Sequence, residues 1–212
     1  MRLPYDDVTA VVLAGGQSRR MGQDKRRLEV GGVPLLQRVL SVLEPLFQRR
    51  VIVAADRDPW LEAFGLAVWT DIRPGLAALG GLYTALTHSK TERIFAVAAD
   101  MPCLDARAIA LMVERSAQAD VAMAALSTGV QPMHAVYGKA CLPALERMIE
   151  QGNLSIQDLL REPSLRISLV EEVEVRAVDP HLLSFLNINT PADLEMARKL
   201  IEPRTHADVP RR

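Results

Sequence analysis

Short apolar runs alternate along this chain with longer stretches whose apolar residues recur at helical spacing, and that alternation leaves few folds open. Val8–Leu13 reads as a buried strand that runs into Gly15-Gly16. Leu35, Leu36, Val39, Leu40, Leu43, Leu46 and Phe47 then fall on one helical face behind Pro34, a residue suited to a helix's first turn. Val51–Ala55 is the next strand, Leu66–Val68 another, edged by Trp69, and Ile94–Ala99 a third clear apolar run, stopped by Asp100-Met101-Pro102. Leu79–Leu86 has helical character, and Asp105 offers the N-cap of a helix reaching to about Ser116. Val121–Leu126 and Met133–Tyr137 read as strands, followed by a helix from Leu142 to Ile149 that Gly152-Asn153 ends. Thr190-Pro191-Ala192-Asp193 supplies a cap, a proline and an early carboxylate, which opens a last helix from Pro191 to Ile201.

Strands and helices in this order need right-handed crossovers, which lay strands parallel and cover both faces of the sheet. The expected fold is α/β: a single Rossmann-like three-layer α/β/α domain with a mostly parallel sheet. It spans residues 1–202, with a flexible C-terminal tail over 203–212, where Pro203, Pro210, Arg211 and Arg212 lie. Such sheets bind ligands beyond the carboxyl ends of their strands. That rule points to Leu13–Gly16, the stretch around Asp71, and Asp100.

Composition removes several classes of function. At 49% hydrophobic residues the chain can bury a sizeable core, and a formal net charge of −1 does not suit a protein that coats nucleic acid or an anionic membrane. Cys103 and Cys141 stand far apart with no CxxC pair, so two reduced thiols in a cytoplasmic protein are expected rather than a disulfide framework or a zinc site. The first ten residues carry acids instead of a basic leader, and the apolar stretch Ala10–Ala14 is too short for a signal segment or a membrane span.

Anion binding must therefore come from local charge, and it is concentrated in one place. LAGGQSRRMGQDKRR runs from Leu13 to Arg27, with Arg19, Arg20, Lys25, Arg26 and Arg27 set against one acid, Asp24. Gly15, Gly16 and Gly22 let backbone N–H groups approach an anion, and the cations can pair with phosphate. This suits a triphosphate. Neither the P-loop pattern nor the dinucleotide GxGxxG fingerprint is present.

LAGGQSRRMGQDK resembles the signature of the molybdenum cofactor guanylyltransferases: LAGG, a short basic stretch, RMG and then DK. The wider superfamily of the nucleotide-diphospho-sugar transferase type includes cytidylyltransferases for the same pterin, for methylerythritol phosphate and for sugar phosphates. Pterin cytidylyltransferases more often have LAAG, so Gly15 favours guanine. The resemblance implies nucleotide contacts from Leu13, Ala14, Gly15, Gly16, Arg19, Lys25, Asp71, Gly81 and Asp100. Arg19, Lys25 and Asp100 are the implied catalytic set, with Asp100, in its D-x-P context, holding Mg²⁺. The family's GPLAG-like segment is altered here to Ala77-Ala78-Leu79-Gly80-Gly81.

In the second half, Gln131–Tyr137 resembles the segment that brings a strand beside the acceptor. His134 has the chemistry of a general base, but with no identifiable carboxylate partner a packed histidine is the expectation. Asn187-Ile188-Asn189-Thr190-Pro191 matches the family's N-x-N-T-P; Asn187 and Asn189 suit contact with the acceptor and simple bracing of the backbone equally well. The implied reaction joins GMP from GTP to the phosphate of molybdopterin and releases pyrophosphate. GTP and molybdopterin would be the substrates, pterin-delivering or molybdoenzyme-maturation proteins the candidate partners, with no nucleic acid and no membrane. Cytidylyl or sugar-phosphate transfer on the same fold, and a non-catalytic nucleotide-binding adaptor, are the alternatives.

Overall fold

The structure is a computed structural model, and it describes residues 4–15 and 24–201. Nine strands and seven α-helices follow in chain order among these residues. The first half holds β1 (Tyr5–Leu13), β2 (Glu29–Val30), β3 (Val33–Pro34), α1 (Leu35–Leu43), β4 (Phe47–Ala54), α2 (Pro59–Glu62), β5 (Ala67–Thr70), α3 (Ala77–His88) and β6 (Arg93–Ala98). The second holds α4 (Ala106–Arg115), β7 (Val121–Leu126), β8 (Gly129–Gly138), α5 (Leu142–Glu150), β9 (Ile167–Glu171), α6 (Glu172–Val178) and α7 (Pro191–Ile201).

Seven strands form one sheet in the order β5-β4-β1-β6-β8-β7-β9, while β2 and β3 pair separately. β5, β4, β1 and β6 run parallel; β8 is antiparallel to both β6 and β7, and β9 lies parallel to β7. The sheet is therefore mostly parallel, with one reversed strand near its middle. Successive residues of β1 face opposite sides, as a strand's two-residue period demands. Ala10 and Val12 pack with Leu36, Val39 and Leu43 of α1 and with Ile109 and Met112 of α4. Val11 and Leu13 pack with Leu79, Leu82 and Leu86 of α3 and with Leu145 of α5. Helices thus cover both faces. Each large side chain removed from water in these layers contributes roughly 1.5–3 kcal/mol. A smaller cluster of Val30, Leu35, Ile188 and Leu194 seats α7 against the β2–β3 pair.

Most strands and helices lie where the apolar periodicity set them, with one overrun. Leu46 and Phe47 continue α1's spacing, yet α1 ends at Leu43 and Phe47 opens β4. Phe47 is fully buried and stacks 5.7 Å from Phe95 of β6, across β1 on the same face of the sheet, a contact that a longer helix would forfeit. Pro34 ends β3 and stands as the N-cap residue of α1 rather than inside its first turn. The expected tail, residues 203–212, lies outside the described residues.

Candidate active site

The order of the sheet selects one crevice. From β1 the chain moves outward through β4 to β5, then crosses back to place β6 on β1's other side, with α1 and α3 on opposite faces. The strand order therefore reverses at β1, and the carboxyl ends of β1 and β6 lie side by side at the edge where such folds take ligands. Leu13 is paired with Ala98 across these strands, and the Ala99 amide donates to the Leu13 carbonyl at 3.1 Å. Asp100 then stands at the lip.

Three further segments close on that lip. The Ala14 amide donates to the Val53 carbonyl at 2.8 Å, which turns the chain upward after β1. The Asp71 amide donates to the Ala54 carbonyl at 3.0 Å, which brings the end of β5 alongside. The Ile188 amide donates to the carbonyl of Asp100 itself at 3.0 Å, which ties the segment before α7 to the end of β6. That segment is held rigid by its helix cap. Asp193 accepts from the amides of Asn189 and Thr190 at 2.9 and 2.8 Å, and the Thr190 hydroxyl accepts from the Asp193 amide at 3.2 Å.

The result is an open cleft of about 290 Å³. Leu13, Ala14, Gly15, Lys25, Asp71, Gly81, Asp100, Asn187 and Asn189 all line it. Gly16 and Arg19 lie outside the described residues. Arg26, one of the run's phosphate-pairing cations, and Ala77 and Ala78 of the altered GPLAG-like segment also line it, together with Val53 and Met133, to which the sequence assigned no ligand contact. Gly81 is needed for the closeness of this packing: a Cβ there would stand 3.1 Å from the Leu13 side chain and 3.7 Å from Asp71 Oδ1.

Charge within the cleft is arranged in pairs. Lys25 Nζ lies 2.8 Å from Asn189 Oδ1 and 3.5 Å from Asp100 Oδ2. Burial raises the Asp100 carboxyl above its ordinary value, and the nearby Lys25 ammonium works in the opposite direction. Asp71 is also raised, first by burial and then by the like charge of Asp56, with Thr84 opposing. Its Oδ1 and the Oδ1 of Asn187 are buried without a hydrogen-bond partner among the described residues. Buried acceptors facing a cleft in this condition are open to a donor or cation from a ligand.

The dense basic run divides in two. Lys25 pairs with Asp100 and Asn189, whereas Arg26, which also borders the cleft, and Arg27 pair with Asp24 and Asp58. His134 is no part of the cleft's lining. Its ring is fully buried on the sheet's other side, between Phe95 at 5.1 Å and Phe185 at 4.6 Å. Burial lowers its pKa to about 4, so it stays neutral. Among the described residues no group of three or more His, Cys, Asp or Glu is placed to hold a metal ion. The Asp100 carboxylate and the unpartnered Asn187 Oδ1 are nonetheless hard oxygen donors lining the same cleft, and Mg²⁺ takes one or two carboxylates and completes its shell with phosphate and water.

A doubly wound sheet with a glycine-bordered, cation-bearing cleft at its switch point defines an α/β nucleotide-binding protein. Comparison with known proteins gives the family. The model described as "MobA-like NTP transferase domain" matches residues 10–167, and the chain belongs to that family of nucleotidyltransferases. A probable molybdenum cofactor guanylyltransferase of Pelotomaculum thermopropionicum is 36% identical over 194 residues, covering 92% of this chain and 93% of that protein. The molybdenum cofactor guanylyltransferase of Desulfosudis oleivorans is 32% identical, covering 93% of this chain and 97% of its own. Among solved structures, molybdopterin-guanine dinucleotide biosynthesis protein A from Archaeoglobus fulgidus superposes with a TM-score of 0.79 at 27% identity, covering 91% and 98% of the two chains.

Proposed function

We propose that this protein is a molybdenum cofactor guanylyltransferase, working in the cytoplasm. It transfers GMP from GTP to the terminal phosphate of molybdopterin and releases pyrophosphate. The observation that carries this reading is Lys25 Nζ poised 3.5 Å from Asp100 over the end of β1, inside a cleft bordered by the LAGG segment. The names of relatives at 30–36% identity over about nine-tenths of the chain support the substrate pair.

The acceptor phosphate attacks the α-phosphorus of GTP; that P–O bond forms as the bond to the β-phosphate breaks, and pyrophosphate carries away the electron pair. The acceptor phosphate is already ionised, so a strong base is unnecessary, in keeping with His134 facing away. Lys25 neutralises charge that builds on the α-phosphate and leaving group, with Arg19 assigned the same task. Asp100, aided by the unpartnered amide oxygen of Asn187, would hold Mg²⁺, which when bound supplies Lewis-acid neutralisation of phosphate oxygens. Ala14, Gly15 and Gly81 leave the nucleotide room to lie close to the backbone, and Asp71 accepts from its donor groups. Asn187 and Asn189 also border the acceptor. Pterin-delivering and molybdoenzyme-maturation proteins are the partners this reaction calls for.

Pyrophosphate release from GTP, CTP and UTP with molybdopterin as acceptor tests the reading. GTP is expected to be the preferred donor, and Asp100→Asn to lower kcat at least ~100-fold. Turnover with CTP alone would reject the base assignment. No turnover with any donor would favour a non-catalytic nucleotide binder, and full activity in Asp100→Asn would reject the metal assignment.

A further inference from the structure

One guanidinium joins the two ends of the glycine-rich segment. Arg26 donates to the Ala14 carbonyl at its entry (3.5 Å) and to Asp24 at its exit (2.6 Å from Nη2). The same Nη2 donates to Asp58 at 2.9 Å, on the connection between β4 and α2. Arg27 also reaches Asp58, at 3.0 Å, and its guanidinium lies 5.0 Å over the Trp60 ring. Lys25, on the same turn, pairs instead with Asp100 and Asn189 of the cleft.

We propose that Asp58 and Arg26 are positioning residues for nucleotidyl transfer, fixing the turn from which Lys25 reaches Asp100. The inference rests on the role given to Lys25 above. The turn over Lys25–Arg27 is a single 3₁₀ turn closed by two backbone hydrogen bonds, Arg27 N to Asp24 O and Leu28 N to Lys25 O, both 3.1 Å. Such a turn is weak in isolation and takes its direction from what it is attached to. Asp58 is a firm attachment. Its carboxylate caps α2 by accepting from the Trp60 amide at 3.0 Å, its carbonyl accepts from the Leu61 amide at 2.9 Å, and Leu61 is fully buried. A planar guanidinium can meet both carboxylates and the Ala14 carbonyl at once, which a lysine ammonium cannot do in the same geometry. Because Asp24 and Asp58 already neutralise Arg26 and Arg27, the contribution of the clamp is geometric. Transfer between two anions is sensitive to that geometry.

The test is a double-variant cycle. Single-turnover pyrophosphate release from MgGTP with molybdopterin is measured for the wild type, Asp58→Asn, Arg26→Lys, Lys25→Met and Lys25→Met/Asp58→Asn, beside each protein's melting temperature. Asp58→Asn and Arg26→Lys are each expected to lower kcat/KM about 10–100-fold well below their melting temperatures. Asp58→Asn is expected to cost less than about 3-fold once Lys25 is methionine, because its effect runs through that side chain. Asp58→Glu, which keeps the charge, restores part of the rate. Unchanged kcat/KM in both single variants, or an undiminished cost in the Lys25→Met background, overturns the inference while leaving Lys25's role intact. Full activity of Lys25→Met overturns that role and the clamp's purpose with it. If Asp58→Asn does not fold, Arg26→Lys and its double variant with Lys25→Met decide the same question.

Discussion

At the scale of single residues, His134 illustrates why residue type alone misleads. It follows Met133, which lines the cleft, but a strand's alternation turns the next side chain to the opposite face, where it is enclosed by Phe95 and Phe185. Both ring nitrogens lack hydrogen-bond partners among the described residues, which is tolerable only for the neutral ring. With a pKa lowered from 6.5 to about 4, the native state binds fewer protons than the unfolded chain between those values. The stabilising contribution is fully present above pH 6.5 and is lost as pH falls through about 4. By linkage this amounts to about 3 kcal/mol. His134→Phe is expected to flatten that acid loss in denaturant titrations run between pH 7 and 4, and to leave kcat at neutral pH within about 2-fold of wild type. A collapse of kcat at unchanged stability would instead return His134 to the list of proton-transfer groups.

At the scale of elements, the sequence was readable wherever periodicity and burial agree. Val121–Leu126 and Pro191–Ile201 form as read, since one is a continuous apolar run and the other carries cap, proline and carboxylate together. It was silent where a short element borrows its stability from neighbours. In β9 the apolar residues Ile167, Leu169 and Val170 are too few to mark a strand by themselves, and only Val170 is buried. α6 follows at once with alternating valines that mimic a strand, and what makes it helical is a capping box between Glu171 and Glu174. The departure from the family's GPLAG pattern also has an element-scale consequence. Ala77, standing where that pattern opens with glycine, begins α3 at φ +50°, a left-handed conformation costing an L-residue roughly 1–2 kcal/mol. Ala77→Gly removes that strain but gives the unfolded chain more freedom, worth about 0.4–1 kcal/mol in the other direction. A net gain of about 0.5–1 kcal/mol, or ~1–4 °C in melting temperature, is expected. A lower melting temperature would mean that Ala77 is not strained.

At the scale of the whole molecule, the site is an assembly of segments far apart in the chain. Leu13–Gly15, Asp71–Gly81, Ala98–Asp100 and Asn187–Asn189 meet over one sheet edge, and none forms a site without the others. The strand-end rule and the resemblance together point to all four, because strand ends depend on topology, which the alternation of elements encodes. The partner of each cation was beyond their reach: Lys25, Arg26 and Arg27 are equivalent as letters and differ only once the fold brings Asp100 to the first and Asp58 to the other two. A ligand that bridges such segments must oppose their separation, so binding should register as global stability. At a free concentration 100 times its Kd, MgGTP contributes about 2.7 kcal/mol, or roughly 5–10 °C in melting temperature for a chain of this size. Thermal unfolding with MgGTP, MgCTP and Mg²⁺ alone at equal concentrations is expected to show the largest shift with GTP, and Asp100→Asn to diminish it. Equal shifts from GTP and CTP would show that the cleft reads the triphosphate and not the base. No shift from either would mean that the four segments meet without forming a nucleotide site, since a ligand held by all of them cannot bind the native state alone and leave the unfolding equilibrium where it was.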